Sequence, residues 1–171
     1  MVRLFMVFVL ALSLVICPVM VCAIDSEATR ATIKHLQGVY VVIEDLQPNI
    51  AKHQKLIAKA GIEKGKLQAM VEERLKKAGL KVFTREEWLQ APGRPLLCIT
   101  INSHESEKYT YAYDVNIQLM QIVLLEANPQ ARSMSPTWSI NMTGMANIGN
   151  LYIIREATLT LIDRFISAWK N

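Results

Sequence analysis

The sequence predicts an α+β fold: a five-stranded mixed sheet, in the order β-α-β-β-β-β-α, with two main helices packed on one face. Three observations carry this expectation. Gly38 to Ile43 is a short β-branched run. Tyr109, Tyr111, Tyr113, Val115, Ile117 and Leu119 alternate with Thr110, Ala112, Asp114, Asn116 and Gln118, the period-two signature of a half-buried strand. Two longer stretches, 63–78 and 151–169, repeat apolar residues at helical spacing.

The first strand, Gly38 to Ile43, reads as a central one buried on both faces, and Gln47-Pro48-Asn49 ends it. Residues 50–61 are basic and partly helical in character. The helix over 63–78 places Leu67, Met70, Val71, Leu75 and Ala78 on one stripe, with Gly79 where a left-handed cap belongs. Lys81-Val82-Phe83 is a short second strand. Thr84 and Glu87 then form a T-x-x-E capping box over one helical turn. Pro92-Gly93-Arg94-Pro95 is a turn, and Leu97, Ile99 and Ile101 share one face of the third strand. The tyrosine strand follows, with a phase slip at Gln121 that predicts a bulge. Residues 117–126 also fit a helix; the upstream alternation favours strand. Asn128-Pro129-Gln130 is expected to turn the chain into a fifth strand, on which Trp138, Ile140 and Met142 face opposite to Ser139, Asn141 and Thr143. Ile154, Leu161, Phe165 and Trp169 mark the closing helix. A right-handed crossover should make the first two strands parallel neighbours.

The chain has 171 residues, of which 51% are hydrophobic, with 19 Lys+Arg against 15 Asp+Glu. That length suits one domain, and the apolar share excludes a disordered tail. No internal repeat or low-complexity linker divides it.

Residues 1–23 read as a signal peptide, leaving residues 24–171 as the single α+β domain. Arg3 gives a positive start, residues 4–16 form an apolar run, Pro18 breaks it, and Val21-Cys22-Ala23 offers small residues at a cleavage site. An uncleaved membrane anchor is the alternative. Neither Ile16 before Cys17 nor Val21 before Cys22 is the small residue that lipoprotein processing favours. Cleavage after Ala23 removes Arg3 and two of the three cysteines, lowering the net charge from +4 to +3. Cys98 then stands alone, and no intrachain disulfide is possible. An exported domain without bridges fits a bacterial periplasm better than an animal secretory route. The sequon Asn141-Met142-Thr143 reads as chance on a strand.

Gly38 to Glu44, the helix ending in Ala78-Gly79-Leu80-Lys81-Val82, the Pro92-Gly93 turn, Thr137-Trp138-Ser139 and the closing helix resemble a group of small exported bacterial proteins of unassigned activity. The element order is also similar to the amino-terminal domain of TolB and to the core of the curli-secretion lipoprotein. Those likenesses imply envelope assembly or protein binding.

The chemical motifs are sparse. Ala60 to Leu67 resembles a phosphate loop, but Ala60 replaces the first glycine and Leu67 the magnesium-binding hydroxyl. His35, His53 and His104 lack ligand spacing, so no metal site is assigned. Cys98 lies between Leu97 and Ile99, where a thiol packs as a small hydrophobe rather than acting as a nucleophile. The carboxylates Glu44-Asp45, Glu86-Glu87 and Glu105/Glu107 are pairs in sequence only. No catalytic residue and no cofactor is assigned.

Charge is segregated along the chain. Residues 51–95 hold eight Lys and three Arg against five Glu, while the flanking stretches of 24–171 are weakly acidic. Lys64, Lys66, Lys76, Lys77 and Lys81 are therefore a candidate surface for an anionic partner such as a lipid head group or an acidic protein. Their interleaving with Glu63, Glu72 and Glu73 also fits a solvated helix face. Nucleic acid is a poor candidate for an exported protein. Tyr109, Tyr111 and Tyr113 are a candidate aromatic strip for a peptide or glycan, or else core. The expected function is that of a non-catalytic periplasmic binding or accessory protein of the cell envelope. Contact with an envelope protein or anionic lipid is expected, and with a membrane only through an uncleaved first segment. The alternative is a small-molecule or lipid carrier, or a hydrolase whose site is assembled from distant residues.

Overall fold

The computed structural model describes residues 25–171; the signal segment read at 1–23 lies outside them. In chain order the elements are α1 (Glu27–Arg30), β1 (Gly38–Ile43), α2 (Pro48–Ala51), α3 (Gln54–Ala60), α4 (Lys64–Lys77), β2 (Lys81–Val82), α5 (Arg85–Gln90), β3 (Leu96–Glu107), β4 (Thr110–Leu125), β5 (Asn128–Asn147) and α6 (Tyr152–Lys170). The sheet order is β2-β1-β3-β4-β5. β1 runs parallel to both β2 and β3, and β3, β4 and β5 form an antiparallel meander. The fold is thus α+β with a five-stranded mixed sheet.

Alternation places one row of side chains from each strand beneath the helices. Val41, Leu97 and Leu119 lie side by side across neighbouring strands, and Trp138 pairs with Leu119 at the far edge. The next row runs Ile43, Ile99, Ile117 and Ile140. Leu67, Val71 and Leu75 of α4 and Ile154, Leu161 and Phe165 of α6 close over these rows. Phe165 meets Trp138 with ring centroids 5.3 Å apart. Each such aromatic or aliphatic side chain contributes about 1.5–3 kcal/mol by leaving water. The two helices are tied together at the surface. Arg74 of α4 donates to the Leu159 carbonyl at 3.2 Å and pairs with Asp163, both on α6.

Local chemistry sets the element ends. Gly79 takes φ 94° after α4, and the Leu80 N–H turns back to the Leu75 carbonyl. Thr84 and Glu87 form the expected capping box, with Glu87 Oε2 accepting from the Thr84 N–H at 2.9 Å. Gly144 is required by close approach. The Tyr113 ring lies over it, so a Cβ there would stand 2.6 Å from the phenol oxygen.

Several expectations are corrected. β1 is buried on one face only, because Tyr40 and Val42 are half-exposed on the other. The bulge falls between Leu119 and Met120, and the extra residue is Thr137 on β5. Thr137 Oγ1 donates to the Leu119 carbonyl at 3.3 Å and accepts from Gln121 Nε2 at 2.8 Å, which holds the irregularity in place. The β4–β5 turn is Glu126-Ala127, since Leu125 already pairs with Asn128. Asn128-Pro129-Gln130 therefore begins β5, where an edge strand tolerates the missing N–H of proline. Tyr109 sits in the β3–β4 turn at φ 67°, outside β4. The short helices α1, α2 and α3 are additional to the two main ones. So is α5, whose Trp88 stacks on Tyr40 at 5.5 Å and covers one end of the face opposite α4 and α6.

The segment before α1 is anchored through one carboxylate. Asp25 Oδ1 accepts from the buried Trp138 indole N–H at 2.9 Å and from Arg30 Nε at 2.8 Å. The Arg30 hydrogen bond, against an opposing burial penalty, holds the Asp25 carboxyl below its usual pKa. Asp25→Ala leaves the buried indole N–H unpaired, and is expected to lower stability by about 1–3 kcal/mol. Because the folded-state pKa is depressed, this contribution is present above the ordinary aspartate pKa and disappears as pH falls through the lower, folded value. Thermal unfolding of both proteins at neutral and strongly acidic pH checks this. A destabilisation that persists undiminished in acid would refute it.

Candidate functional site

The face of the sheet turned away from α4 and α6 is built from the second set of alternating residues. Its central row is Val42, Cys98, Gln118 and Ser139. The next is Thr100, Asn116 and Asn141, followed by Asn102, Asp114 and Thr143. Asn141 Nδ2 donates to Asp114 Oδ1 at 3.0 Å across the last two rows. At the other end Tyr40, Leu96 and Met120 adjoin Trp88 of α5. Beyond the bulge Ile122 and Leu124 continue this apolar end toward Leu89, with Leu124 58% and Leu89 41% exposed. The face is therefore graded, apolar under α5 with Arg94 and Arg132 beside Ile122 and Leu124, and amide- and hydroxyl-rich toward the β3–β4 turn.

Cys98 is on this open face rather than in the core, because alternation turns it away from Leu97 and Ile99. Burial by its neighbours, and then the nearby Glu44 carboxylate, push its thiol pKa up. A protonated thiol is a poor nucleophile. Native protein is expected to react with a thiol reagent more slowly than unfolded protein. Equal rates would contradict the half-buried, protonated environment.

A second cluster lies at the β3–β4 turn. His53 Nε2 and Tyr111 Oη are 2.9 Å apart, and Lys52 donates to Glu105 Oε2 at 2.8 Å. The Tyr111 phenol pKa is raised, chiefly by burial, and the Lys52 ammonium lowers that of Glu105. A phenol held protonated and a carboxylate held in an ion pair are both engaged in structure. They tie the α2–α3 junction to the sheet. Tyr111 is fully buried and Tyr113 nearly so, both on the helix side; only Tyr109 is exposed, edge-on to His53. The three tyrosines do not form one open strip.

The candidate lysines are dispersed. Lys64 pairs with Asp45 at 2.9 Å, Lys76 with Glu72 at 3.5 Å, Lys77 with Glu73 at 2.7 Å and Lys81 with Glu87 at 2.7 Å. Lys64 and Lys66 open α4 whereas Lys76 and Lys77 end it, roughly 15–20 Å apart along the helix. Exposed pairs of this kind add little stability, but they do lower the local positive potential. Sedimentation with anionic vesicles at physiological salt is expected to recover little protein. Strong salt-sensitive recovery, lost in Lys76→Glu/Lys77→Glu, would support the anionic-surface reading.

A cleft of about 750 Å³ opens beside the start of β1, among Leu36, Phe83, Pro92 and Pro95, with His35, Lys81, Glu86 and Glu87 at its rim. Glu87 is already committed to Lys81 and to the Thr84 N–H. His104 lies on the open sheet face, remote in the fold from His35, and no group of His, Cys, Asp and Glu able to hold a metal occurs among the described residues. The Ala60–Leu67 stretch forms no phosphate cradle: Gly61 caps α3 at φ 73°, Ile62 is buried, and Glu63 precedes α4. No described helix is long and apolar enough to cross a membrane. No protein-family model, curated protein or solved structure matches the chain.

Sequence reasoning missed the apolar end of the open face. Its residues come from α5, β3 and the overhanging half of the β4–β5 hairpin. Only the alternation past Met120, read through the bulge, signals that Ile122 and Leu124 share a side.

Proposed function

We propose that this chain is an exported, non-catalytic binding or accessory protein of the bacterial envelope that docks another protein on the open sheet face. The graded face between α5 and the β3–β4 turn is the observation that supports it. Its central rows, from Val42 to Thr143, carry one formal charge, Asp114, which Asn141 engages, and the Glu44 carboxylate stands beside Cys98 at their β1 edge. Methyl, thiol, amide and hydroxyl groups make up the rest. The complementary partner is a neutral protein surface with an apolar anchor for the Tyr40–Met120 end and amide or backbone groups for the Asn116 end. The export part of the reading rests on the charge, apolar run and Val-x-Ala site within residues 1–23.

A photo-crosslinking residue at Asn116 or Thr100, introduced into the full chain in bacterial cells, tests the docking face. A discrete crosslinked protein is expected from both positions, and not from Glu73 on the exposed side of α4. Thr100→Arg is expected to abolish the product while leaving the thermal transition within a few degrees of wild type. Identical products from Glu73, or products unchanged by Thr100→Arg, would refute the assignment of this face.

A further inference from the structure

We infer that a second copy of this chain pairs antiparallel with the carboxyl-terminal half of β5, making one continuous sheet across a two-fold axis. β5 is the edge strand, and hydrogen-bond alternation fixes which of its backbone groups face outward. Ile148 donates to the Tyr109 carbonyl, so the even-numbered residues of this half bond to β4. The odd-numbered residues Ser139, Asn141, Thr143 and Met145 therefore turn their N–H and C=O away from the sheet. The same alternation on β3 agrees, since Pro95 and Ile99 present their carbonyls to β1.

The ends of this outward row are occupied and its middle is not. Thr32 Oγ1 donates to the Thr137 carbonyl at 3.2 Å, and the Asn147 N–H donates to Asn150 Oδ1 at 2.6 Å. Between them, the outward backbone groups of Ser139, Asn141, Thr143 and Met145 have no bond to any described residue. The fold treats another free edge differently. Where β3 outruns β1, Gln47 accepts from the Ser103 N–H at 2.9 Å and Asn49 donates to the Ser103 carbonyl at 2.7 Å. Devices that block edge pairing are confined to the first half of β5, as Pro129, Arg132, Pro136 and the Thr137 bulge. From Ser133 to Ile154 there is no charged residue.

The occupant follows from the row itself. A two-fold axis through Met142 sets Ser139 opposite Met145 and Asn141 opposite Thr143 of the second copy, so each outward N–H meets an outward C=O. On the helix side the same axis sets Ile140 opposite Gly144, large against small, and Met142 opposite itself. Helices then lie on one side of both sheets, and apolar rows meet apolar rows. Any antiparallel strand can meet the backbone parity; what the row offers its own copy is the absence of charge and the fit of large against small. Asn141, Thr143 and Met145 are exposed, Met145 by 54%, whereas Ser139 at the start of the row is buried.

The test is the mass of the full chain in solution across a dilution series, combined with amide exchange. Twice the chain mass is expected at high concentration. The Asn141, Thr143 and Met145 amides should exchange faster on dilution, while those of Ile140 and Met142 stay protected. Thr143→Pro removes an outward donor without touching a bond to β4, and should leave a folded monomer. Thr143→Lys brings like charges together across the axis and should weaken association about tenfold or more, a second variant should the proline impair folding. A monomer at every concentration, or a dimer unmoved by Thr143→Lys, would overturn the proposal. So would concentration-independent protection of the outward amides, which would assign the edge to residues 1–24 of the same chain.

Discussion

Every outward-facing feature of this molecule depends on the strict alternation of β4. Tyr111, Tyr113, Val115, Ile117 and Leu119 are buried under the helices, and the residues between them are not. A one-residue slip in register would bury Asp114, Asn116 and Gln118 beneath α4 and α6 and expose the largest apolar row of the core. Because β4 is flanked on both sides, its phase sets that of β3 and β5 through the paired registers. The bulge at Thr137 comes only after the last row that α6 covers through Trp138. The irregularity thus stands where it cannot disturb the core, and β4 beyond it outruns β3, which begins at Leu96 opposite Met120.

The second constraint is the handling of unpaired backbone. β2 is two residues long and so exposes almost no edge. The part of β3 that extends past β1 has Ser103 capped by side chains of the α2 region. Outward groups at the start and end of the second half of β5 are likewise met by Thr32 and Asn150. A fold that supplies a partner at each of these places, and none among the described residues along Ser139–Met145, distinguishes that row from ordinary solvent-facing edge. The groups of Asn141, Thr143 and Met145 are open to solvent, so the cost of leaving them unpaired is modest in the monomer. What they provide is a template with defined length and polarity.

Much of the fold was legible in the chain because local chemistry and burial agree. Thr84 and Glu87 cap α5, Gly79 caps α4, and the alternating tyrosine strand has the phase that the core requires. What could not be read was set by distant partners. Thr137 bulges because Gln121 and the Leu119 carbonyl engage it, a pairing that no local window contains. Asn128-Pro129-Gln130 has turn chemistry, yet Leu125 and Asn128 pair ahead of it. Of the site, the polar rows of the open face followed from the same alternation. Its apolar end did not, because Trp88, Tyr40, Leu96 and Ile122 converge only after the crossover places α5 on the reverse side of the sheet.

The linear segregation of charge largely dissolves in three dimensions. Lys52 and Lys64, both within the basic stretch 51–95, are met by Glu105 and Asp45 from the acidic stretches that flank it. Lys76, Lys77 and Lys81 are met by acids within the same stretch. Part of the excess is thereby neutralised, while Ser133 to Ile154, which includes the free half of β5, has no charged residue. Screening acts on exposed charges and little on backbone hydrogen bonds or apolar contact. Recognition of the kind proposed for these two surfaces would therefore depend on register, shape and hydrogen-bond polarity more than on ionic strength. That separates it physically from the electrostatic capture that a plot of charge along the chain suggests.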